Sequence, residues 1–144
     1  MRAPIRGPNR REALQNVSVK TTRKTQFVNI DQQVRTAVQA AGIADGVAHV
    51  FVPHTTAGVT INENADPDVV ADLEKILGRL VPWEGGYAHF EGNSAAHMKA
   101  SAMGSSATVI VEAGQLKMGT WQSLYFCEFD GPRQRQFWVQ VVGK

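Results

Sequence analysis

The sequence has little of what a redox, secreted or membrane-embedded protein requires. Its 144 residues include a single cysteine, Cys127, so no internal disulfide can form. Cys127 lies in an apolar run, residues 124–127, and apolar surroundings make a thiol unreactive by raising its pKa. No stretch reaches the roughly 18 consecutive apolar residues that identify a membrane-spanning helix. We therefore expect a cytoplasmic protein without membrane contact.

Charge is also scarce, and it is unevenly distributed. Charged residues make up 19% of the chain, below the roughly 25% of typical soluble domains. This low fraction favours an oligomer interface. Residues 1–13 are predicted to be a basic flexible tail because they carry Arg2, Arg6, Arg10 and Arg11, interrupted by two prolines and one glycine. The remainder is close to neutral, which argues against a nucleic-acid surface.

Several well-known catalytic motifs are missing as well. The chain has no Gly-Lys-Ser/Thr phosphate loop and no dinucleotide-binding fingerprint. Its serines lack the glycine-flanked setting of a hydrolase nucleophile. Any chemistry must therefore come from another constellation of residues.

Residues 14–144 are predicted to form one α+β domain with antiparallel strands, hairpins and about three helices. Helices are predicted from Asp31 to Gly42, from Pro67 to the residue before Pro82, and from Asn93 or Ser94 to about Met103. Asp31 and Asp66 are the expected N-caps. The strands are expected at 15–22, 27–30, 47–52, 58–61, 108–111, 120–129 and 136–142. The loop at 82–92 is long enough to be a functional one.

Three of the four histidines are candidates for one site. His54 ends a buried strand, His89 lies in the long loop, and His97 lies one turn into the third helix, whereas His49 reads as structural or surface-facing. Three imidazoles with an open position are a common zinc arrangement, and the same group can bind an anion or transfer protons. The spacing does not distinguish a shared site from unrelated histidines.

Polar residues near these histidines supply further candidates. Glu63 has no evident capping role, so it is a candidate acid/base or a partner of a histidine. The run Glu91-Gly92-Asn93-Ser94 is typical of an anion-binding helix entry. Trp121 offers either a stacking platform or a core side chain, and Gln122 offers amide hydrogen bonds. Arg133 or Arg135 could reach a phosphate or remain solvated.

The chain resembles the YjbQ-like family, also called the secondary thiamine-phosphate synthase family. The motifs that carry the resemblance occur in order at residues 51–57, 62–67, 87–93, 96–100 and 119–122, and the similarity extends over about residues 17–143. It implies a trimer with clefts between subunits. It also implies a weak synthase activity that joins hydroxymethylpyrimidine pyrophosphate to a thiazole phosphate with release of pyrophosphate. Ser123 stands where the family usually has glycine.

The resemblance and the residue types together give a predicted site for this enzyme. The predicted catalytic residues are His54, Glu63, His97 and Gln122. A small phosphorylated or heteroaromatic molecule is expected to bind at Asn64, Glu91, Gly92, Asn93, Trp121 and Arg133. A divalent metal, zinc or magnesium, is expected on His54, His89 and His97. The alternatives are a metal-dependent hydrolase with incidental synthase activity and a non-catalytic trimer that binds a metal or metabolite.

Overall fold

The computed structural model describes residues 14–144, and the predicted basic tail lies outside them. Three helices and antiparallel sheets within these residues confirm the predicted α+β class. In chain order the elements are β1 (Leu14–Lys20), β2 (Gln26–Asn29), α1 (Asp31–Ala41), β3 (Gly46–Phe51), β4 (Ala57–Glu63), α2 (Pro67–Leu80), α3 (Ser94–Met103), β5 (Ser106–Glu112), β6 (Gln115–Lys117), β7 (Gln122–Glu128) and β8 (Gln134–Gly143).

The strands form two sheets. The larger has the order β1-β8-β3-β5-β6 and the smaller the order β2-β7-β4, with antiparallel pairing throughout. The turn after β7 carries the chain from the smaller sheet to the larger one. Strand β6 was not predicted. It pairs with β5 through a tight turn in which Ala113 and Gly114 have φ angles of 52° and 75°, as a two-residue type I′ hairpin turn requires.

The three-stranded sheet is the middle layer of the molecule. One of its faces, with α1, packs on the inner face of the five-stranded sheet in a core that includes Val34, Val50, Phe126 and Phe137. Its other face packs against α2 and α3 through a second cluster of Phe27, Ala96, Ala100, Tyr125, Cys127 and Phe129. Residues of β7 therefore face two cores alternately, which explains its almost continuous burial.

The two predicted N-cap residues have different roles in the structure. Asp66 caps α2 as predicted, because its Oδ1 accepts from the backbone N–H of Asp68 at 2.9 Å. Asp31 does not cap α1; it is the first helical residue, and its carboxylate accepts from the backbone N–H of Leu124 at 2.7 Å. Strand β2 ends opposite Tyr125. The carboxylate of Asp31 therefore accepts from the N–H of Leu124, the residue of β7 just beyond the last pair with β2. None of the helices in residues 14–144 is long and apolar enough to cross a membrane.

The outer face of the five-stranded sheet carries exposed apolar side chains. Phe51 and Trp138 pair across β3 and β8, and their rings stack with centroids 5.8 Å apart. Leu14, Ile110 and Val142 are at least half exposed. In residues 14–144, no helix covers this face, since α1 packs into the core on the opposite side.

Candidate functional site

A cavity of about 300 Å³ brings two of the predicted histidines together. His54 lies in the segment between β3 and β4, and His97 lies on α3. Hydroxyl groups complete the polar lining, from Thr55, Ser101 and Ser105. The cavity therefore combines imidazole and hydroxyl groups without a charged carboxylate, which suits hydrogen bonding and proton transfer.

His54 is held in place by the backbone of Gln136, near the start of β8. Its Nε2 lies 3.0 Å from the carbonyl oxygen of Gln136 and 3.1 Å from the backbone N–H of the same residue. Burial lowers the pKa of His54, and the nearby positive charge of Arg135 lowers it further. His54 is consequently neutral at pH 7. The two contacts belong to different tautomers. With the proton on Nε2, the ring donates to the Gln136 carbonyl, and Nδ1 carries the lone pair that can accept a proton; with the proton on Nδ1, Nε2 accepts from the Gln136 N–H instead.

A buried ion pair supports this end of the molecule. Arg135 donates from Nε to Glu128 Oε1 at 2.9 Å and from Nη2 to the Thr56 hydroxyl at 2.8 Å. Thr21 donates to Glu128 at 2.8 Å, and two backbone N–H groups complete the shell. Burial alone would raise the pKa of Glu128, but the hydrogen bonds from Arg135 and Thr21 outweigh it and hold the pKa below its usual range. Arg135 is thus committed to the fold and does not serve as a solvated phosphate ligand.

The other histidines lie at different distances from the cavity. The ring of His89 contacts that of His97 edge to face, with centroids 5.5 Å apart, although His89 itself is exposed. His49 lies on the outer face of the five-stranded sheet, where its Nδ1 is 3.0 Å from the Thr108 hydroxyl. No three His, Cys, Asp or Glu side chains within residues 14–144 are grouped closely enough to hold a metal ion. The presence of zinc or magnesium stays a prediction without a ligand set in this part of the chain.

The predicted anion-binding helix entry is organised around Asp130. Asn93 is buried, and its Nδ2 donates to Asp130 Oδ2 at 3.0 Å, while Arg133 reaches the same oxygen at 2.8 Å. Oδ1 of Asn93 is enclosed and lacks a hydrogen-bond partner. Gly92 has a φ of 74°, and Glu91 is exposed. Arg133 therefore pairs with a carboxylate instead of standing free for a phosphate.

The remaining predicted residues cluster around the hydroxyl of Tyr125. This hydroxyl donates to the carbonyl oxygen of Glu63 at 3.1 Å and to Oδ1 of Asn64 at 3.0 Å. The backbone N–H of Asn64 donates to the carbonyl of Trp121 at 2.8 Å, and Gln122 pairs with Glu63 across β7 and β4. Burial raises the pKa of Tyr125, and the charges of Asp31 and Glu63 add to that effect. Ser123 is buried in β7 opposite Asn62.

The predicted site is therefore divided between the two ends of β4. We call the group around His54, His89 and His97 the histidine end, and the group of Glu63, Asn64, Trp121 and Gln122 the tyrosine end. Strand β4 runs from Ala57, which pairs with Glu128, to Glu63. Six steps of about 3.3 Å give roughly 20 Å between these ends. Glu63 cannot be a partner of His54 within one subunit.

Sequence reasoning missed Tyr125 and Glu128 as supporting residues. Both lie in the apolar run that ends β7, where they read as ordinary strand residues. Glu128 carried one usable signal: it shares a strand face with Leu124 and Phe126, and a carboxylate among buried residues requires a cation. The identity of that cation, Arg135, could not be found from the spacing alone.

Comparisons with known proteins agree with the resemblance. A family model described as UPF0047 protein YjbQ-like matches residues 15–144. The chain is 49% identical over 131 residues to UPF0047 protein YugU of Bacillus subtilis, covering 90% of this chain and 99% of the relative. A crystal structure of an uncharacterized conserved protein from Clostridium acetobutylicum is similar with a TM-score of 0.87 and 54% identity, covering 89% of this chain and 99% of that one. A YbjQ-like protein of unknown function from Sulfolobus solfataricus gives a TM-score of 0.87 at 30% identity, covering 91% of this chain and 96% of that one.

The predicted synthase function is wrong on these findings. The matched relatives are described as UPF0047 proteins, one of the solved structures is described as being of unknown function, and none of those named above carries a thiamine-phosphate synthase description. The metal-binding site assigned to that function does not form in residues 14–144 either. The physical reason is the placement of the histidines: two share a cavity, and the third contacts only one of them.

Proposed function

The chain belongs to the UPF0047 protein YjbQ-like family, and on this premise we propose a homotrimer that binds a small phosphorylated or heteroaromatic molecule between subunits, with His54 as the proton acceptor. The observation that carries the proposal is the cavity shared by His54 and His97. The family match comes without an activity, so the chemistry rests on the site itself.

The role of His54 follows from its surroundings. A neutral imidazole at pH 7 accepts a proton, whereas an imidazolium cannot. Burial and Arg135 keep His54 neutral by lowering its pKa, and the Gln136 carbonyl fixes the ring through Nε2. His97 and the hydroxyls of Thr55 and Ser105 supply hydrogen bonds to the oxygens of a ligand, whereas the Ser101 hydroxyl already donates to the carbonyl oxygen of His97 at 3.0 Å. Proton transfer is thus the step this cavity suits best.

Two features favour assembly of the site from more than one subunit. The histidine end and the tyrosine end are too far apart to contact one small ligand within one chain, being separated by roughly 20 Å. In addition, the outer face of the five-stranded sheet exposes a stacked pair, Phe51 and Trp138, at 43% and 37%. Cyclic trimers use heterologous interfaces, in which different patches of the chain meet. The histidine end of one subunit can then face the tyrosine end of its neighbour.

The ligand class follows from the two ends taken together. Imidazole and hydroxyl groups at the histidine end are donors for phosphate oxygens. At the tyrosine end, the indole of Trp121 is 61% exposed, and a flat exposed indole suits stacking with a heteroaromatic ring. We also propose that the protein is located in the cytoplasm.

Two measurements test this proposal. Light scattering at micromolar concentration should give a mass of three times 15.7 kDa. Calorimetric titration with a panel of aromatic phosphate monoesters should then give saturable binding that His97→Ala and Trp121→Ala each weaken at least about ten-fold, or about 1.4 kcal/mol. Lys20→Ala is the control, because Lys20 is exposed on β1. A monomeric protein, or binding insensitive to both variants, would overturn the proposal.

A further inference from the structure

Lys99 on α3 is a buried cation without a counter-ion in the described part of the chain. Only 5% of its surface is exposed, and it forms no ion pair or hydrogen bond in residues 14–144. Among the fully enclosed side-chain nitrogens and oxygens of residues 14–144, only Oδ1 of Asn93 lacks a hydrogen-bond partner. The Lys99 ammonium also lacks a partner among these residues but is not fully enclosed, so it keeps a small opening to solvent. A buried charge is costly unless it is paired, so this arrangement calls for a partner from outside residues 14–144.

A second lysine reinforces the positive charge. Lys24, in the connection between β1 and β2, holds its Nζ 3.4 Å from the ring centroid of Trp83. This cation–π contact positions the ammonium without neutralising it. Burial lowers the pKa of Lys99, and the charge of Lys24 lowers it further. Backbone contacts also place Lys24 near the start of α3. Its carbonyl oxygen accepts from the N–H of Gly131 at 2.9 Å, and the adjacent Asp130 accepts from Asn93, the residue before α3.

Two carboxylates of the neighbouring elements are already committed. Glu74 on α2 accepts two hydrogen bonds from Arg23 and one from the backbone N–H of Phe27. Asp130, after β7, is shared by Arg133 and Asn93. Each of these two acids therefore faces an arginine and does not neutralise the lysine pair.

The lysine pair is separate from the histidine cavity. Successive residues in an α-helix are rotated by about 100°, so His97 and Lys99 lie on nearly opposite sides of α3. His97 lines the cavity with Ala100 and Ser101, whereas Lys99 is buried on the side of Ala95 and Ala96. A ligand at one location leaves the other accessible.

We propose that Lys99 and Lys24, beside Trp83, form a binding site for a small oxyanion such as a phosphate group. A lysine ammonium binds phosphate as a point charge, and two of them supply up to six N–H donors. The anion takes the place of the missing carboxylate and removes the repulsion between the lysines. It also draws Lys24 from the indole face, so Trp83 reports occupancy.

Fluorine NMR of the full chain labelled with 5-fluorotryptophan tests this site, with inorganic phosphate as the probe. The chain has three tryptophans, and Trp83→Phe identifies the resonance of Trp83 by its loss. We expect phosphate to shift that resonance saturably, while sodium chloride at matched ionic strength does not. Lys99→Met and Lys24→Met should each weaken the apparent affinity at least about ten-fold.

The controls separate this site from the proposed ligand cavity. Lys75→Met removes an exposed lysine of α2 and should leave the titration unchanged, as should His97→Gln. Lys24 is on the surface, so Lys24→Met provides a test even if Lys99→Met misfolds. A Trp83 shift that survives both lysine variants, or that chloride reproduces, would overturn the proposal. Loss of the shift in His97→Gln would assign the phosphate to the histidine cavity and also overturn it.

Discussion

The histidine end and the tyrosine end differ in how their polar groups are satisfied. At the histidine end, Glu128 and Arg135 are almost fully buried, and each has several hydrogen-bond partners. At the tyrosine end, Trp121 is 61% exposed, and the amide oxygen of Gln122 accepts a local hydrogen bond from the nearby Gly119 N–H. One end is internally complete, whereas the other presents its side chains outwards.

This difference indicates that the histidine end is held in place within one subunit, whereas the tyrosine end is not. A buried network fixes the position of His54 through the start of β8, because Arg135 and Gln136 are adjacent in that strand. The tyrosine end fixes only the backbone near Glu63 and Asn64, through Tyr125. It has the character of a surface that another subunit completes.

The largest expected effect comes from breaking the buried ion pair. Glu128→Gln leaves the Arg135 guanidinium buried without its counter-charge, which should cost about 3–5 kcal/mol of the free energy of unfolding. Urea denaturation measures this loss. The matched control is Glu112→Gln, which breaks the exposed pair with Lys117 and should cost at most about 1 kcal/mol. Equal losses in the two variants would mean that the histidine end is not internally organised as described.

A smaller effect is expected at the tyrosine end. Tyr125→Phe removes one hydroxyl whose two acceptors lie near the surface, so the loss should be about 0.5–1.5 kcal/mol. The two ends are roughly 20 Å apart, and distant substitutions add within about 0.5 kcal/mol. The double variant with Glu128→Gln should therefore show the sum of the single losses. Coupling well above that value would contradict the separation of the two ends.

The smallest expected effect is a change in pH dependence from His54. Its pKa is lowered from 6.5 in the folded chain, so below about pH 6.5 the unfolded chain binds the proton first. Stability is full above that pH and declines as the pH falls towards the folded pKa. Thermal unfolding between pH 5 and 8 should show a shallower decline in His54→Gln than in the wild type. His49→Gln, which alters an exposed histidine, should follow the wild type, and an unchanged slope in His54→Gln would contradict the assignment.

Local sequence signals predicted most of the fold. Pro67 after Asp66 and the apolar face of residues 69–80 predicted α2 to within one residue of its observed bounds, because capping and helical periodicity are properties of adjacent residues. Strand β6 was missed because three residues are too few to show alternation. Asp31 reads as a cap in the sequence, but its partner, Leu124, is distant along the chain.

The site was less accessible to sequence reasoning. The contact of His89 with His97 and the cavity shared by His97 and His54 depend on how α3 packs beside β4. No spacing along the chain encodes that packing. Glu63 and His54 are nine positions apart, yet strand geometry puts them at opposite ends of β4. Proximity in sequence was misleading here because an extended strand separates residues by about 3.3 Å each.

The central claim is that the two ends meet across subunits, and cysteine cross-linking tests it most directly. Cys127 is buried, so cysteines introduced as Ser101→Cys and Gln122→Cys are the reactive ones. Ser101 lines the histidine cavity and Gln122 belongs to the tyrosine end. When the two single variants are mixed under conditions that allow subunit exchange and are treated with a short bismaleimide, a covalent dimer of one of each should form in high yield. A mixture that remains monomeric on a denaturing gel would contradict the account.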